Sequence, residues 1–311
     1  MSPKIGIFPA SGAFGTSILN HLARLVPASQ LVLIARRPEK LDDFKKQGAT
    51  VRWADYDEPS SLETVFDGVD ILMLVSYASI EIEYRAKAQN NAIDAAAKSG
   101  VKHIFYSSLA FGGNLTDKSV AHVMGAHLAT EKYLASHPGN FTHTFIRVGI
   151  YSESFPIYTT WFDLKNPSDE IMIPHSGGGP GVAWAKRDEL GEATAKLIVS
   201  YVEDPVKFKY LNKGVLLSGP REITLAETAD ILGQAVGKPV KIREVSVDEW
   251  TALTPQNAEY LTCRGVDLSR EWATAWEAIK QGETAVVSPT LRELLGREPE
   301  SYETTIKEMA K

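Results

Sequence analysis

At 311 residues the chain is long for a single hydrophobic core, so one large domain, or a domain with a smaller partner lobe, is expected. Hydrophobic residues make up 44% and charged residues 23%, which excludes intrinsic disorder, and a net charge of -6 without a Lys/Arg cluster argues against a nucleic-acid partner. The one cysteine, Cys263, excludes a disulfide scaffold or a cysteine-based zinc site within one chain and fits a reducing compartment.

In chain order, Lys4–Phe8 reads as a first apolar strand, too short for a signal-peptide core. A Gly-rich turn follows, then a helix over Thr16–Leu25 that repeats Ile18, Leu19, Leu22 and Leu25 at helical spacing. Leu31–Ala35 is the second strand, Leu41–Gln47 a short helix and Thr50–Trp53 the third strand. Ser61–Phe66 reads as a helix, Asp70–Ser76 as the fourth strand, and Glu83–Ser99 as a long helix stopped by Gly100. His103–Ser107 and His143–Val148 are the fifth and sixth strands, with a helix over Ala126–Ser136 between them. Near-continuous apolar strands alternating with helices predict a parallel sheet buried on both faces. Right-handed crossovers then wind it into an α/β, Rossmann-type doubly wound sheet.

After Ile150 the rhythm breaks. Tyr151–Phe162 is rich in aromatics, Ser176–Gly181 is a flexible turn, and Lys186–Val202 an amphipathic helix. Val215–Ser218 reads as a strand, Leu225–Val236 as a helix ending at Gly237, and the tail from Val247 as mostly helical, with Trp250, Trp272 and Trp276 as packing residues. The expected division is a nucleotide-binding Rossmann domain over 1–150 and, over 151–311, mainly a smaller α+β substrate lobe, some segments of which return to the Rossmann core. No stretch approaches the ~20 apolar residues of a membrane span. No membrane association and a cytoplasmic location are therefore expected.

Pro9-Ala10-Ser11-Gly12-Ala13-Phe14-Gly15 lies between the first strand and the first helix, the setting in which a Gly-rich turn binds a pyrophosphate. Gly12 would let the backbone approach the anion and Gly15 would let the helix pack against the sheet, while the helix N-terminus attracts the charge. Pro9 replaces the usual first glycine, so that turn must be built differently. At the end of the second strand, where NAD-binding domains carry an acid for the ribose, stand Arg36, Arg37 and Lys40. A guanidinium fork suits a 2′-phosphate, which selects NADP(H); the alternative is a solvated basic turn.

With these elements assigned, the chain resembles the NmrA-like family of atypical short-chain dehydrogenases. The resemblance rests on Gly6–Gly15, Ala35–Lys40, Ala54-Asp55-Tyr56-Asp57, Phe105-Tyr106-Ser107-Ser108 and Ser218-Gly219-Pro220, and spans nearly the whole chain. It implies a Rossmann fold, NADP(H) and a substrate cleft beneath the C-terminal lobe. It also implies that Asp55 and Tyr56 lie beside the adenine, Val75, Ser76 and Tyr77 beside the middle of the cofactor, and Ser107 and Ser108 near the nicotinamide.

Short-chain dehydrogenases usually carry Tyr-x-x-x-Lys. Here His127 stands where the family's lysine precedes a glutamate, Glu131, and Val123 stands where the tyrosine belongs; Lys132 is no substitute, because Leu128 precedes it at that spacing. His127 is then a candidate general acid, with Glu131 one turn on to orient it or raise its pKa. The alternative is a partly exposed helix pair or a cofactor-ribose contact. Tyr151 and Tyr77 are further candidate donors or pocket walls. The aromatic run Tyr151–Phe162 suits a flat, apolar small-molecule substrate, or else packs the lobe. His122 and His127 do not share a helix face, so no metal site is expected. Ser107-Ser108 lacks the Gly-x-Ser-x-Gly turn of a hydrolase nucleophile. Two functions follow: an NADPH-dependent oxidoreductase acting on a small carbonyl, quinone or conjugated alkene, or a non-catalytic NADP(H) sensor that binds a protein partner.

Overall fold

The computed structural model describes residues 2–253, 261–263 and 265–311. Its first half runs β1 (Ile5–Phe8), α1 (Ala13–Leu22), β2 (Leu31–Ala35), α2 (Asp42–Lys46), β3 (Thr50–Trp53), β4 (Ile71–Val75), α3 (Ile82–Lys98), β5 (His103–Leu109), α4 (His122–Ser136) and β6 (Thr142–Val148). Then come α5 (Phe155–Tyr158), β7 (Glu170–Ile173), α6 (Arg187–Glu203), β8 (Lys213–Leu217), α7 (Leu225–Val236), β9 (Lys241–Glu244) and α8 (Val247–Leu253). The tail holds β10 (Thr262–Cys263), β11 (Val266–Asp267), α9 (Ser269–Lys280), α10 (Thr290–Leu295) and α11 (Tyr302–Met309). Residues 254–260 of the tail expected to be helical lie outside the described residues.

Seven strands form one parallel sheet in the order β3-β2-β1-β4-β5-β6-β8. Every residue of β1 and β2 is buried, which is why those strands read as unbroken apolar runs. Ile5, Ile7, Leu31, Leu33 and Met73 face a core shared with α1 and α6, whereas Phe8, Val32, Ile34, Leu72 and Leu74 face α3. Ile5 pairs with Leu31 on one side and Ile71 on the other, so strand order reverses at β1. The turns after β1 and β4 diverge there and leave the crevice in which this architecture binds ligands.

Segments beyond residue 151 complete this layer. Strand β8 pairs with β6, and α6 packs directly on α1. A Cβ on Gly191 of α6 would lie 2.0 Å from Ser17 Oγ, so only glycine permits that approach. Ser17 Oγ and His21 Nε2 of α1 both lie 3.1 Å from Asp188 Oδ1 of α6, which fixes the helix that carries the Gly-rich turn.

The remaining segments form the smaller lobe. Strands β7 and β9 pair in parallel, and the aromatics Phe155, Tyr158, Trp184, Trp250, Trp272, Trp276 and Tyr302 share its core with Val123 and Met124 of α4. Full burial of one such side chain contributes ~1.5–3 kcal/mol. Each buried indole also finds an acceptor: Trp272 Nε1 donates to Ile157 O and Trp276 Nε1 to Tyr158 O, both at 3.2 Å.

Local expectations fail in definable places. Ser61–Phe66 is not an α-helix but the end of a 3-10 turn, Pro59–Leu62, and the hydrogen-bonded turns after it, because the Ser61 hydroxyl engages the carbonyls of Asp55 and Glu58. Helix α1 begins at Ala13 rather than Thr16, because the end of the Gly-rich turn is itself helical. Strand β9, Lys-Ile-Arg-Glu, is hidden in an exposed, charged pattern, and its partner β7 is a run of only four residues, of which Ile171 and Ile173 are buried.

Candidate active site

The turn after β1 enters α1 with Gly12 as N-cap, and no side chain caps it. The Phe8–Pro9 peptide is cis, Ala10 N donates to Ile34 O at 2.8 Å, and Thr16 N makes the first helical bond, to Gly12 O. Gly15 packs against the turn: a Cβ there would sit 2.1 Å from Pro9 O. A Cβ on Gly12 would meet nothing within 4 Å, and the first turn carries no acidic residue. The amides of Ala13, Phe14 and Gly15 have no acceptor among the described residues. Open space over free N–H groups at a helix N-terminus fits a pyrophosphate. Ser11 is half-buried beside the turn.

Arg36, Arg37 and Lys40 are exposed at the end of β2. Arg36 takes the place of the acid directly after β2, but the fold supplies an acid nearby: Asp55, at the end of β3, brings Oδ2 to 3.9 Å from Arg36 Nε. At that distance and exposure the pair is weak, leaving the guanidinium available to a stronger anion. Tyr56 is buried beneath the crevice, its ring 4.5 Å from Phe8 and its hydroxyl donating to Val75 O at 2.8 Å. It serves as floor, tying the loop after β3 to the end of β4. Tyr77 lies edge-on to Tyr56 and donates to Asp57 Oδ1 at 2.9 Å, as does Tyr84 at 2.6 Å.

At the ends of β4 and β5, Ser76 N donates to Ser107 Oγ at 2.9 Å, joining two of the expected cofactor residues. Behind them lies a group that sequence reading missed. Arg85 of α3 is 5% exposed, and its guanidinium donates to Ser79 O (2.6 Å), Ser76 Oγ (3.1 Å) and His127 Nε2 (2.7 Å). Because arginine only donates, His127 Nε2 must accept, so the ring proton lies on Nδ1 and points at Tyr106 Oη, 3.0 Å away. Tyr106 in turn donates to Gln89 Oε1, and Gln89 Nε2 to Thr130 Oγ1. The signal was present: Arg85 and Gln89 fall on the same stripe of α3 as Ala92 and Ala96, polar residues on a buried face.

This overturns the expected role of His127. Burial, reinforced by the charges of Arg85 and Arg147, holds its pKa well below the ordinary value, so it has no imidazolium proton to give. Nor does Glu131 orient it. Glu131 forms a bidentate pair with Arg147 at 2.9 and 2.7 Å and accepts the Ser108 hydroxyl at 2.5 Å. Helical spacing made His127 and Glu131 neighbours, but tertiary partners took each one elsewhere. Val123, at the dyad tyrosine position, is buried in the lobe core.

Of the two readings open for the aromatic run, packing of the lobe holds for most of it. Phe155, Tyr158 and Phe162 are lobe core, and Trp161 stacks on Trp250, so most of Tyr151–Phe162 is packing rather than pocket wall. Tyr151 differs. It is half-buried, its ring lies 5.8 Å from Phe14 of the Gly-rich turn, and its hydroxyl has no hydrogen-bond partner among the described residues. Burial raises its pKa, which keeps it a neutral donor. Among the described residues no group could hold a metal ion and no helix is long and apolar enough to cross a membrane.

A family model for the NmrA-like family matches residues 1–263. The chain is 32% identical over 293 residues to the NmrA-like family domain-containing oxidoreductase flvB of Aspergillus flavus, covering 93% of this chain and 89% of that protein. It is 32% identical over 248 residues to quinone oxidoreductase 2 of Escherichia coli, covering 80% of each. An NADPH complex of an NADPH-dependent quinone oxidoreductase from Escherichia coli matches the fold with a TM-score of 0.80 at 28% identity, over 99% of this chain and 100% of the other. Triphenylmethane reductase of Citrobacter sp., complexed with NADP(H), matches at 0.78 and 28% over the same shares. Extended similarity in sequence and fold thus agrees with the motifs around the Gly-rich turn: the chain belongs to the NmrA-like family.

Proposed function

We propose that this protein binds NADP(H) at the switch point of its sheet and reduces a small neutral acceptor, such as a quinone, carbonyl or conjugated alkene, by hydride transfer. The observation that carries the reading is the open, acid-free N-terminus of α1, with free amides over Gly12 and Arg36 at the end of the next strand. The amides of Ala13, Phe14 and Gly15 would hold the pyrophosphate, Arg36 with Arg37 and Lys40 the 2′-phosphate, and Tyr77, Ser107 and Ser108, with Ser76 by its backbone alone, the remainder, which leaves the Ser76 hydroxyl to the acceptor. The nicotinamide supplies the hydride when bound. Tyr151, a neutral hydroxyl with no partner among the described residues, would donate a hydrogen bond across the cleft to the acceptor. NADPH-bound relatives, a quinone oxidoreductase among them, support both cofactor and chemistry.

A second reading, a non-catalytic NADP(H) sensor, draws support from the buried, neutral His127 and the buried Val123, which leave no dyad. Calorimetric titration with NADPH, NADP+, NADH and NAD+, repeated on Arg36→Ala, tests the cofactor. Selective NADPH binding that weakens about tenfold or more in the variant is expected, the worth of one charge-assisted contact. Absence of dinucleotide binding would overturn both readings. NADPH oxidation with a quinone and enone panel then separates enzyme from sensor.

A further inference from the structure

Arg85 is a buried cation without a counter-ion among the described residues. Among the described residues no carboxylate pairs with it, and its Nε has no partner at all. The nearby buried acid, Glu131, is spent on Arg147 in a bidentate pair. His127, against the guanidinium, is neutral. On the opposite wall Glu153 and Arg187 exert opposing effects on Tyr151. Among the described residues the ends of β4 and β5 are therefore left with one uncompensated positive charge, an unfavourable arrangement unless something negative develops beside it.

The route to the cleft is Ser76. Its hydroxyl oxygen accepts from Arg85 Nη2 at 3.1 Å, so its own proton is free to donate, and no acceptor for it exists among the described residues. Ser76 is half-buried at the mouth of the crevice. A hydroxyl polarised from behind by a guanidinium is a strong donor to an oxyanion.

We propose that Arg85, acting through the Ser76 hydroxyl, sets the charge preference of the site: it favours neutral acceptors that become oxyanions on taking a hydride and disfavours cationic ones. This inference rests on the oxidoreductase reading above. A neutral quinone that takes one hydride from NADPH becomes a hydroquinone monoanion, NADPH becomes NADP+, and water then protonates the oxyanion. A cationic triarylmethane dye that takes the same hydride becomes neutral, so it gains nothing from Arg85 and is repelled on entry. Arg85 is a positioning residue in this scheme and Ser76 the group that touches the substrate.

The test compares 1,4-benzoquinone with malachite green, a cationic triarylmethane dye, in the native protein, Arg85→Met and Arg85→Lys. The ratio of kcat/KM for quinone over dye is expected to fall about tenfold or more in Arg85→Met, the size of losing one charge-assisted contact behind a donor that itself remains. Arg85→Lys, which keeps the charge, is expected to restore most of it. A ratio unchanged within threefold in Arg85→Met overturns the proposal. A second readout needs neither turnover nor a variant: 4-nitrophenol bound to the NADPH-loaded native protein, whose nicotinamide ring is uncharged, followed by phenolate absorbance. Ionisation about one pH unit or more below that of the free phenol is expected beside an uncompensated cation. Unshifted or raised ionisation, or no binding, overturns the proposal even if Arg85→Met does not fold. If the native protein reduces neither acceptor, the oxidoreductase reading fails, while the phenol titration still decides Arg85.

Discussion

Arg85 Nη2 lies 2.7 Å from His127 Nε2, although 42 residues separate them in the chain. A guanidinium cannot accept, so this contact dictates the imidazole's tautomer and bars its protonation. Nitrogen NMR of the native protein should find the His127 ring neutral, with its proton on Nδ1, from pH 5 to pH 8. An imidazolium signal at pH 6 would contradict the geometry. NADPH oxidation should correspondingly lack an acid limb that disappears in His127→Asn.

A second histidine sets acid stability. His103 is fully buried at the start of β5, stacked 4.0 Å from Tyr201, and burial with the neighbouring His143 lowers its pKa to about 3. The folded state thus binds its proton less readily than the unfolded chain. Its contribution is fully present above the unfolded pKa near 6.5 and is lost as pH falls from there toward about 3. At pH 5 the loss from this one ring is about 2 kcal/mol. Urea unfolding of native protein and His103→Phe at pH 7 and pH 5 checks it: the variant should lose less stability on acidification.

The Glu131–Arg147 pair is almost wholly shielded from water, at 8% and 1% side-chain exposure. Glu131→Ala should destabilise by about 3–5 kcal/mol, because it leaves Arg147 charged and unpaired. A double replacement, Glu131→Leu with Arg147→Met, should recover most of that loss. Chemical denaturation of the single and double variants measures the coupling, and simple additivity would mean that the pair is not a unit.

Two glycines of the turn separate folding from binding. Gly15→Ala drives a Cβ against the Pro9 carbonyl at 2.1 Å and should cost about 1–3 kcal/mol by overpacking. Gly12→Ala meets no protein atom and has an extended φ of -76, so its melting temperature should hold while NADPH affinity falls. Thermal melts alongside calorimetry distinguish them. Intact NADPH binding by Gly12→Ala would mean that the cofactor does not pass over this residue.

The Rossmann sheet was legible in the sequence because its signals are local. Strands buried on both faces must be apolar throughout, and a Gly-rich turn between a strand and a helix advertises its own role within a few residues. The place of Arg36 directly after β2 was legible for the same reason. What only the tertiary structure decided is which polar groups meet. Asp55 reaches Arg36 because β3 pairs with β2; Glu131 turns to Arg147 because β6 lies beside β5; and Arg85 reaches His127 because α3 and α4 cover the same face. Helical spacing placed His127 and Glu131 on one face, but a buried charge goes to the partner that best offsets its lost hydration, and that partner is set by the fold rather than by distance along the chain.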